Sequence, residues 1–403
     1  MTSPQHYHVG AATADITPTL DRTVYLAGFA PDRRAKGVLH PLEAGVLYVR
    51  DSQGSDLALV TLDLIGFLDP QVEQIRSRVA AVIDPVRLVV CSTHTHAGPD
   101  TLGIWGKALF GLIPYRSGVD PQYVSMVADR VADAVTRARD TASPCSLSAV
   151  TFDTPEDWVR NDRRGGGSYR RAVALVAREK GAVKAIMLNF AAHPETLWEK
   201  NKDVSPDYPA PFRSWLRRNG VGVPLFFSGP LGAMLTPNVR LKADTAERRQ
   251  FVEELGEKLG RLTLLQAADA QPLSGPLKVA ALELVLLNSN KRFEIAFRRG
   301  LIERTMHDNK VVTRMAAASI GDFSLVTVPG EACPEVGQQV FDVMGTGHRM
   351  VLCLGLDELG YIIPPEFFSK KEYRYEQSMS VGPHTAPGVL ATASRLHARL
   401  AGQ

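Results

Sequence analysis

The sequence predicts a mixed α/β fold (α+β), in which mixed β-sheets are covered by helices. Short apolar runs rich in Val, Leu and Ile recur along the chain, and Gly, Pro, Asp or Asn flank most of them. Segments with apolar residues at helical spacing lie between some of these runs. Predicted strands outnumber predicted helices, and several neighbouring strands are placed to pair as antiparallel hairpins. A mixed sheet is therefore expected in place of a pure βαβ repeat.

The predicted strands, in chain order, are Ala44–Arg50, Leu57–Leu64, Arg87–Ser92, Cys145–Phe152, Ala172–Ala177, Val183–Ala191, Val223–Phe227, Leu277–Leu287, Val311–Ile320, Phe323–Val328 and Met350–Leu354. The predicted helices are Asp69–Ile83, Pro121–Ala138, Ala246–Gln266, Glu335–Met344 and Ala391–Leu400. The proline-rich segment Ser205–Pro211 is predicted to be a loop. No linker or internal repeat is evident, so one domain spanning residues 1–403 is expected.

Composition excludes several classes of protein. Apolar residues make up 45% and charged residues 22% of the 403 residues, which excludes a disordered or collagen-like chain. A net charge of +3 is too balanced to argue for nucleic acid or an anionic membrane as a partner. The four cysteines are too few for a disulfide scaffold and form no CxxC pair.

The sequence also bears on cellular location. The N-terminal sequence MTSPQHYHVGAATADITP has neither the basic nor the apolar region of a secretory signal. No stretch approaches the ~20 apolar residues of a membrane span. We therefore expect a cytoplasmic protein with no stable membrane insertion.

The most informative segment is STHTHAGP, which follows the apolar run LVVC. Residues two apart in an extended chain point to the same side, so His94 and His96 are expected to face one space. Two imidazoles at a strand end form a candidate metal site or proton-transfer pair. A pair of hydrogen-bonded structural histidines is the alternative.

Three further strand ends carry side chains that can bind a metal or stabilise negative charge. His193 follows one apolar run, Glu331 follows a second after a Pro-Gly turn, and Tyr361 follows a third within GLDELGYIIP. Zinc accepts imidazole and carboxylate ligands, and a tyrosine hydroxyl stabilises developing negative charge. Each residue alone also has an ordinary structural explanation, and spacing does not show that they converge.

The order of these motifs resembles the neutral (non-lysosomal) ceramidase family. STHTHAGP is similar to the family's THTHSGP-type motif. The segments VGAATADITP, LAGF, NFAAHPETL, PLGAMLTPN, VPGE and GLDELGYIIP are similar to other family motifs in the same order, from about Val9 to Pro364. The resemblance implies a ceramidase-like catalytic domain: a zinc-dependent amidohydrolase that cleaves a linear N-acyl amide bond with metal-activated water.

The resemblance also implies roles for particular residues. The family's zinc ligands correspond to His94, His193, Glu331 and Tyr361. Its second THTH histidine, which contacts the reacting centre, corresponds to His96. With zinc, His96 or Tyr361 would stabilise the oxyanion, and His96 would protonate the leaving amine.

Substrate contacts are carried over with weaker matches. An arginine near the family's substrate has its nearest counterpart in VRNDRR, which makes Arg163 a catalytic candidate with Asn161 beside it. Thr236 stands where the family has a serine once considered the nucleophile. Trp198, with Trp105 and Phe110, is expected either to line an acyl pocket or to pack in the core.

The departures from the family leave alternatives open. The 39 residues after Pro364 are too few for the family's C-terminal β-sandwich domain. A small-molecule N-acyl or ester substrate is therefore expected, and the missing parts count against a membrane sphingolipid without excluding ceramide. A zinc esterase or lactonase, a non-catalytic zinc- or ligand-binding relative, and a metal-free hydrolase using Thr236 or Ser228 are the alternatives.

Overall fold

The structure is a computed structural model that describes residues 7–163, 165–304, 306 and 308–402. Residues 1–6, part of the stretch inspected for a secretory signal, lie outside the described residues. The strands are β1 (Tyr7–Asp15), β2 (Gly37–Val38), β3 (Glu43–Arg50), β4 (Asp56–Leu62), β5 (Leu88–Ser92), β6 (Ala108–Leu109), β7 (Ile113–Pro114), β8 (Ser143–Asp153), β9 (Val159–Asn161), β10 (Arg171–Glu179), β11 (Ala182–Phe190), β12 (Asp203–Val204), β13 (Val223–Ser228), β14 (Leu235–Pro237), β15 (Gln271–Pro272), β16 (Leu277–Leu287), β17 (Lys310–Ile320), β18 (Phe323–Thr327), β19 (Glu331–Ala332), β20 (His348–Leu352) and β21 (Tyr361–Ile362).

The helices are α1 (Asp69–Val79), α2 (Pro121–Asp140), α3 (Pro209–Arg218), α4 (Thr245–Ala267), α5 (Lys291–Arg298), α6 (Pro334–Val343), α7 (Arg374–Ser378) and α8 (Thr385–Ala401). Short 3₁₀ turns lie at Pro85–Arg87, Glu156–Trp158, Pro365–Ser369 and Lys371–Tyr373. No helix among the described residues combines the length and the apolarity needed to cross a bilayer.

Two sheets form the centre of the molecule. The larger has the order β13-β11-β10-β8-β1-β3-β4-β5, with β15 paired to β8, and the smaller has the order β16-β17-β18-β20. The pairs β4–β5, β11–β13 and β18–β20 are parallel, while the other neighbours in these two sheets are antiparallel. The predicted mixed sheet is confirmed.

The side-chain alternation of β10 shows how the layers pack. Val173, Leu175 and Ala177 point into a core that also contains buried residues of the smaller sheet. The alternate residues Ala172, Ala174 and Val176 point into a separate core under α3 and α4. Helices α6 and α8 cover the opposite face of the smaller sheet. A sheet with both faces buried explains the near-continuous apolar runs in the sequence.

Every predicted strand and helix is present, with ends shifted by a few residues. Strand β1 was not predicted, because its sequence YHVGAATAD is rich in Ala and Gly, which are weak strand formers. The loop prediction for Ser205–Pro211 is wrong at its end, because α3 begins at Pro209. Proline is tolerated in the first turn of a helix, where its missing N–H has no partner to lose.

The topology brings several strand ends together. The chain after β20 pairs with the end of β5, where the Ser92 amide donates to the Leu354 carbonyl at 3.2 Å and the Leu356 amide to the Val90 carbonyl at 2.7 Å. The Cys353 amide also donates to the Ser228 carbonyl, at the end of β13, at 2.9 Å. The two sheets therefore meet at one edge, where the segments after β5, β11, β18 and β20 all emerge.

Candidate active site

Three histidines and one glutamate meet at this edge. Ring centroids lie 5.0 Å apart for His94 and His96, and 5.2 Å apart for His94 and His193. His94, His96 and His193 each offer one ring nitrogen within 4.8 Å of the others. Glu331, which starts β19, is buried beside them. The residues singled out at separate strand ends therefore share one space.

The outer nitrogens of two histidines are held by backbone carbonyls. Nδ1 of His94 donates to the Ile65 carbonyl at 2.6 Å, and Nδ1 of His193 donates to the Leu235 carbonyl at 2.8 Å. These bonds keep a proton on Nδ1 of each ring and direct its Nε2 towards Glu331, which is the orientation that a ligand nitrogen needs. A carbonyl bond on the far nitrogen is the usual arrangement for metal-binding histidines.

Nε2 of His94 and Nε2 of His193 face the same oxygen of Glu331. Oε2 lies 3.0 Å from Nε2 of His193 and 3.3 Å from Nε2 of His94. Tetrahedral zinc with ligand bonds of about 2.0 Å separates neighbouring ligand atoms by about 3.3 Å. The donor set and its spacing therefore fit a zinc ion.

Burial and charge act against each other here. Burial raises the pKa of Glu331, but the nearby His94 and His193 outweigh it and hold that pKa well below its ordinary value. Burial lowers the pKa of His193, yet the hydrogen bond to Glu331 and the negative charge of Glu195 raise it overall to about 9. The carboxylate is thus stabilised in its ionised, ligand-competent form.

Tyr361 is the pairing partner of Glu331, because β19 and β21 run parallel with these two residues in register. Its side chain is buried and lines the same pocket as Glu331. Burial, reinforced by the charge of Glu331, raises the pKa of its hydroxyl well above 10. Without a metal this phenol therefore stays protonated.

His96 differs from the other two histidines because neither of its buried ring nitrogens has a hydrogen-bond partner. Its Nδ1 lies 3.4 Å from Oε2 of Glu195. Burial and the neighbouring His94 and His193 lower its pKa well below 6.5, so the ring is neutral at pH 7. An unpartnered neutral imidazole inside a pocket is available to a substrate.

The loop between β1 and β2 holds His96 in place. Arg33 donates to the carbonyls of Ala27 and His96. Gly28 has a φ of +108° and packs so closely that a Cβ would lie 2.6 Å from Cβ of His96. Only glycine fits both the left-handed backbone and this close approach. The LAGF motif is therefore a support for the His96 ring.

An apolar pocket opens from these residues. Its unfilled space, including the part open to solvent, is about 710 Å³. Polar groups in its wall include Glu358, whose Oε2 is buried without a hydrogen-bond partner. The side chains that line it are mostly apolar, among them Ile65, Leu68, Leu102, Trp105, Phe293 and Phe297.

The remaining predicted site residues lie farther out. Arg163 pairs through Nε with Oε1 of Glu376 at 2.5 Å. Asn161 accepts from the Arg163 amide at 2.8 Å and donates to the Gly167 carbonyl at 2.8 Å, so it shapes that loop. Neither lines the apolar pocket.

Thr236 and Trp198 each contact a residue that in turn lies beside His96. The Thr236 hydroxyl bonds to Glu195, whose carboxylate lies beside His96. Trp198 contacts the Phe29 ring at 5.0 Å between centroids, and Phe29 in turn contacts His96 at 5.2 Å. Of the other aromatic candidates, Trp105 lines the pocket, but Phe110 is 94% exposed.

Sequence analysis missed Glu195 and Glu358 as site residues. Glu195 stands two residues after His193, the same spacing that links His94 to His96, and this repeat was the available signal. Burial raises the pKa of both carboxyls. Glu358 had no such signal, because the chain contains 43 acidic residues and burial alone distinguishes this one.

Comparisons with known proteins bear on the fold. No family model matches the sequence, and no curated protein matches it. Neutral ceramidase from Pseudomonas aeruginosa matches with a TM-score of 0.80 and 16% identity, over 99% of this chain and 75% of that chain. A structure described as ceramidase complexed with C2 gives a TM-score of 0.79 and 16% identity, over 99% of this chain and 76% of that chain. The chain therefore has a neutral ceramidase-like fold, as the order of its motifs predicts.

Proposed function

We propose that this protein is a zinc-dependent hydrolase that cleaves the amide bond of a small N-acyl substrate. The observation that carries the proposal is the shared Oε2 of Glu331, which lies 3.0 and 3.3 Å from two imidazole nitrogens whose far sides are fixed by carbonyls. The ceramidase-like fold supports an amide bond as the target. The apolar pocket beside the site suits an acyl chain.

His94, His193 and Glu331 would hold the zinc, with Tyr361 beside Glu331 as the fourth ligand. A zinc ion in such a site lowers the pKa of a bound water towards about 7 and polarises a carbonyl oxygen. The protein's part is to keep Nε2 of both histidines aimed inward and to keep Glu331 ionised.

His96 would act on the substrate. With Nδ1–H directed at Glu195, the Nε2 lone pair of the neutral ring would accept a proton, and the protonated Nε2 would then donate to an oxyanion or return that proton to the leaving amine. Glu195, 3.4 Å from Nδ1, would orient the ring so that Nε2 faces the pocket. Thr236 would position Glu195 in turn. Arg163, Asn161 and Trp198 remain proposed substrate contacts at the outer rim.

The test measures metal content and hydrolysis in the same preparations. Wild type, His94→Ala and His96→Ala are compared, with the exposed His384→Ala as the matched control. A panel of N-acyl amides, esters and lactones is assayed before and after chelation. We expect about one zinc per chain in wild type, none in His94→Ala, and zinc without turnover in His96→Ala.

Each departure from that pattern has a definite meaning. Loss of zinc in His96→Ala would replace the proposed ligand set with the three-histidine set that the geometry also allows. Turnover of esters or lactones but of no amide would identify the alternative esterase or lactonase. Zinc without turnover of any substrate in the panel would favour the binding relative. Activity that survives complete removal of metal would refute the zinc mechanism.

A further inference from the structure

An apolar hairpin projects from the rim of the pocket. It comprises residues Lys107–Arg116, in which β6 and β7 pair Leu109 with Ile113. The side chains at its tip are apolar and exposed, Phe110 by 94% and Leu112 by 77%. Leu109 and Ile113 beside them are also more than half exposed. A contiguous exposed apolar set of this kind marks a surface that binds something.

The turn presents these side chains at a conformational cost. Phe110 has a φ of 51° and Gly111 a φ of 68°, and the Leu112 amide closes the turn onto the Leu109 carbonyl at 3.0 Å. A left-handed φ is uncommon for a bulky residue such as Phe. Because Phe110 is almost fully exposed, packing within the chain does not compensate for this strain.

The hairpin is joined directly to the pocket. Ile104 and Trp105, which precede it, line the pocket together with Phe293 and Phe297 of α5. Of these side chains, Ile104, Trp105 and Phe297 pack in one cluster, so the hairpin base and α5 form adjoining parts of the pocket wall. The hairpin therefore begins at the pocket wall, two residues after Trp105.

The base of the hairpin is positively charged. Lys107 and Arg116 stand at its two ends, and neither forms an ion pair within the described part of the chain. No Asp or Glu occurs between Asp100 and Asp120. The neighbouring α5 and the residue after it add exposed cations at Lys291, Arg292 and Arg299, while Arg298 is paired with Glu294 at 2.6 Å.

We propose that the apolar hairpin docks the mouth of the pocket reversibly onto an anionic lipid bilayer. The tip residues would enter the boundary between headgroups and acyl chains, and the cations would contact anionic headgroups. Tyr115, partly exposed at the base, would lie at the interface, where aromatic rings with a polar end are favoured.

The geometry favours a bilayer over a protein partner. A stable protein interface takes roughly 20–30 residues from each side, whereas the exposed apolar set here is confined to one narrow tip. Insertion into a lipid interface needs only a few large apolar side chains backed by positive charge. The inference does not depend on hydrolysis, since binding is measured without a substrate.

The experiment is flotation of the full chain with vesicles of phosphatidylcholine, with and without phosphatidylserine. The test variants are Phe110→Ser/Leu112→Ser and Lys107→Gln/Arg116→Gln. The matched control is Leu241→Ser, which removes an equally exposed leucine elsewhere on the surface. Oligomeric state is measured on all four proteins by light scattering, and folding by circular dichroism.

We expect wild type and the control to bind vesicles that contain phosphatidylserine. The apolar variant should bind at least about tenfold more weakly to them. The charge variant should bind more weakly to these vesicles and lose the preference for them, and raised salt should weaken wild-type binding. The proposal is overturned if wild type does not float with vesicles that contain phosphatidylserine. It is overturned too if the apolar variant is folded and floats as well as wild type. It is also overturned if wild type forms a dimer that the apolar variant abolishes while neither binds vesicles.

Discussion

Replacing Gly28 by alanine tests whether the loop after β1 holds His96 in its working position. The new Cβ would lie 2.6 Å from Cβ and Cγ of His96 and 2.7 Å from Nδ1. Arg33 fastens both sides of this contact by donating to the carbonyls of Ala27 and His96, so neither side moves away freely. The substitution therefore combines backbone strain with a steric overlap.

The two costs are separable. A left-handed φ of +108° costs an L-residue roughly 1–2 kcal/mol. Forcing an extra methyl group into a packed site costs roughly 1–3 kcal/mol more. Gly181→Ala is the matched control, because Gly181 has a φ of +88° and open space where its Cβ would stand. The control should show the strain alone.

Urea denaturation measures the unfolding free energy of both variants, and turnover and metal content are measured alongside. We expect Gly28→Ala to be about 1–3 kcal/mol less stable than Gly181→Ala. On the proposed mechanism it should keep zinc and lose turnover, because the overlap displaces His96 and not the proposed ligands. Equal stability of the two variants, with full turnover in both, would refute the reasoning that Gly28 supports the His96 ring.

Three further predictions concern groups around the site. Arg213→Met leaves the buried Asp63 carboxylate without its bidentate partner, and urea denaturation should show a loss of about 3–5 kcal/mol. Burial raises the pKa of Asp207 from 3.8 to about 6, so the neutral form is favoured in the folded state. The contribution of Asp207 to the free energy of unfolding is therefore greatest below about pH 4. It declines by at most about 3 kcal/mol as the pH rises from about 4 through 6. Urea denaturation at several pH values should show a smaller decline for Asp207→Asn. Thr236→Val removes the hydroxyl bonded to Glu195, and kcat should fall roughly tenfold with metal content unchanged.

The strand pattern correctly predicted that each ligand candidate follows an apolar run that forms a strand, but it did not show that these strand ends converge. The reasoning for His94 and His96 was less sound. It assumed an extended chain with alternating side chains, but His94 has a left-handed φ of 69°. The two rings share one space because the backbone turns at His94 and because Gly28 and Arg33 fix His96.

Other features depend on tertiary packing that no local pattern contains. Glu358 is one acidic residue among 43 until the structure shows it buried in the pocket wall. The net charge of +3 gave no reason to expect an anionic surface as a partner, because a whole-chain sum averages out a local group of cations. Phe110 looked like a core or pocket residue by its type alone, and only its 94% exposure shows otherwise.

The unsatisfied polar atoms near the pocket argue against a purely structural role for it. Both ring nitrogens of His96 and Oε2 of Glu358 are buried without hydrogen-bond partners. Each such atom costs about 1–3 kcal/mol, which a leucine or phenylalanine at the same position would not. By contrast, Nδ1 of His94 and Nδ1 of His193 each donate to a backbone carbonyl, and Nε2 of each ring faces Glu331. Unpaired groups in the pocket wall are open to a bound water, metal ion or substrate, whose own donors and acceptors would offset this cost.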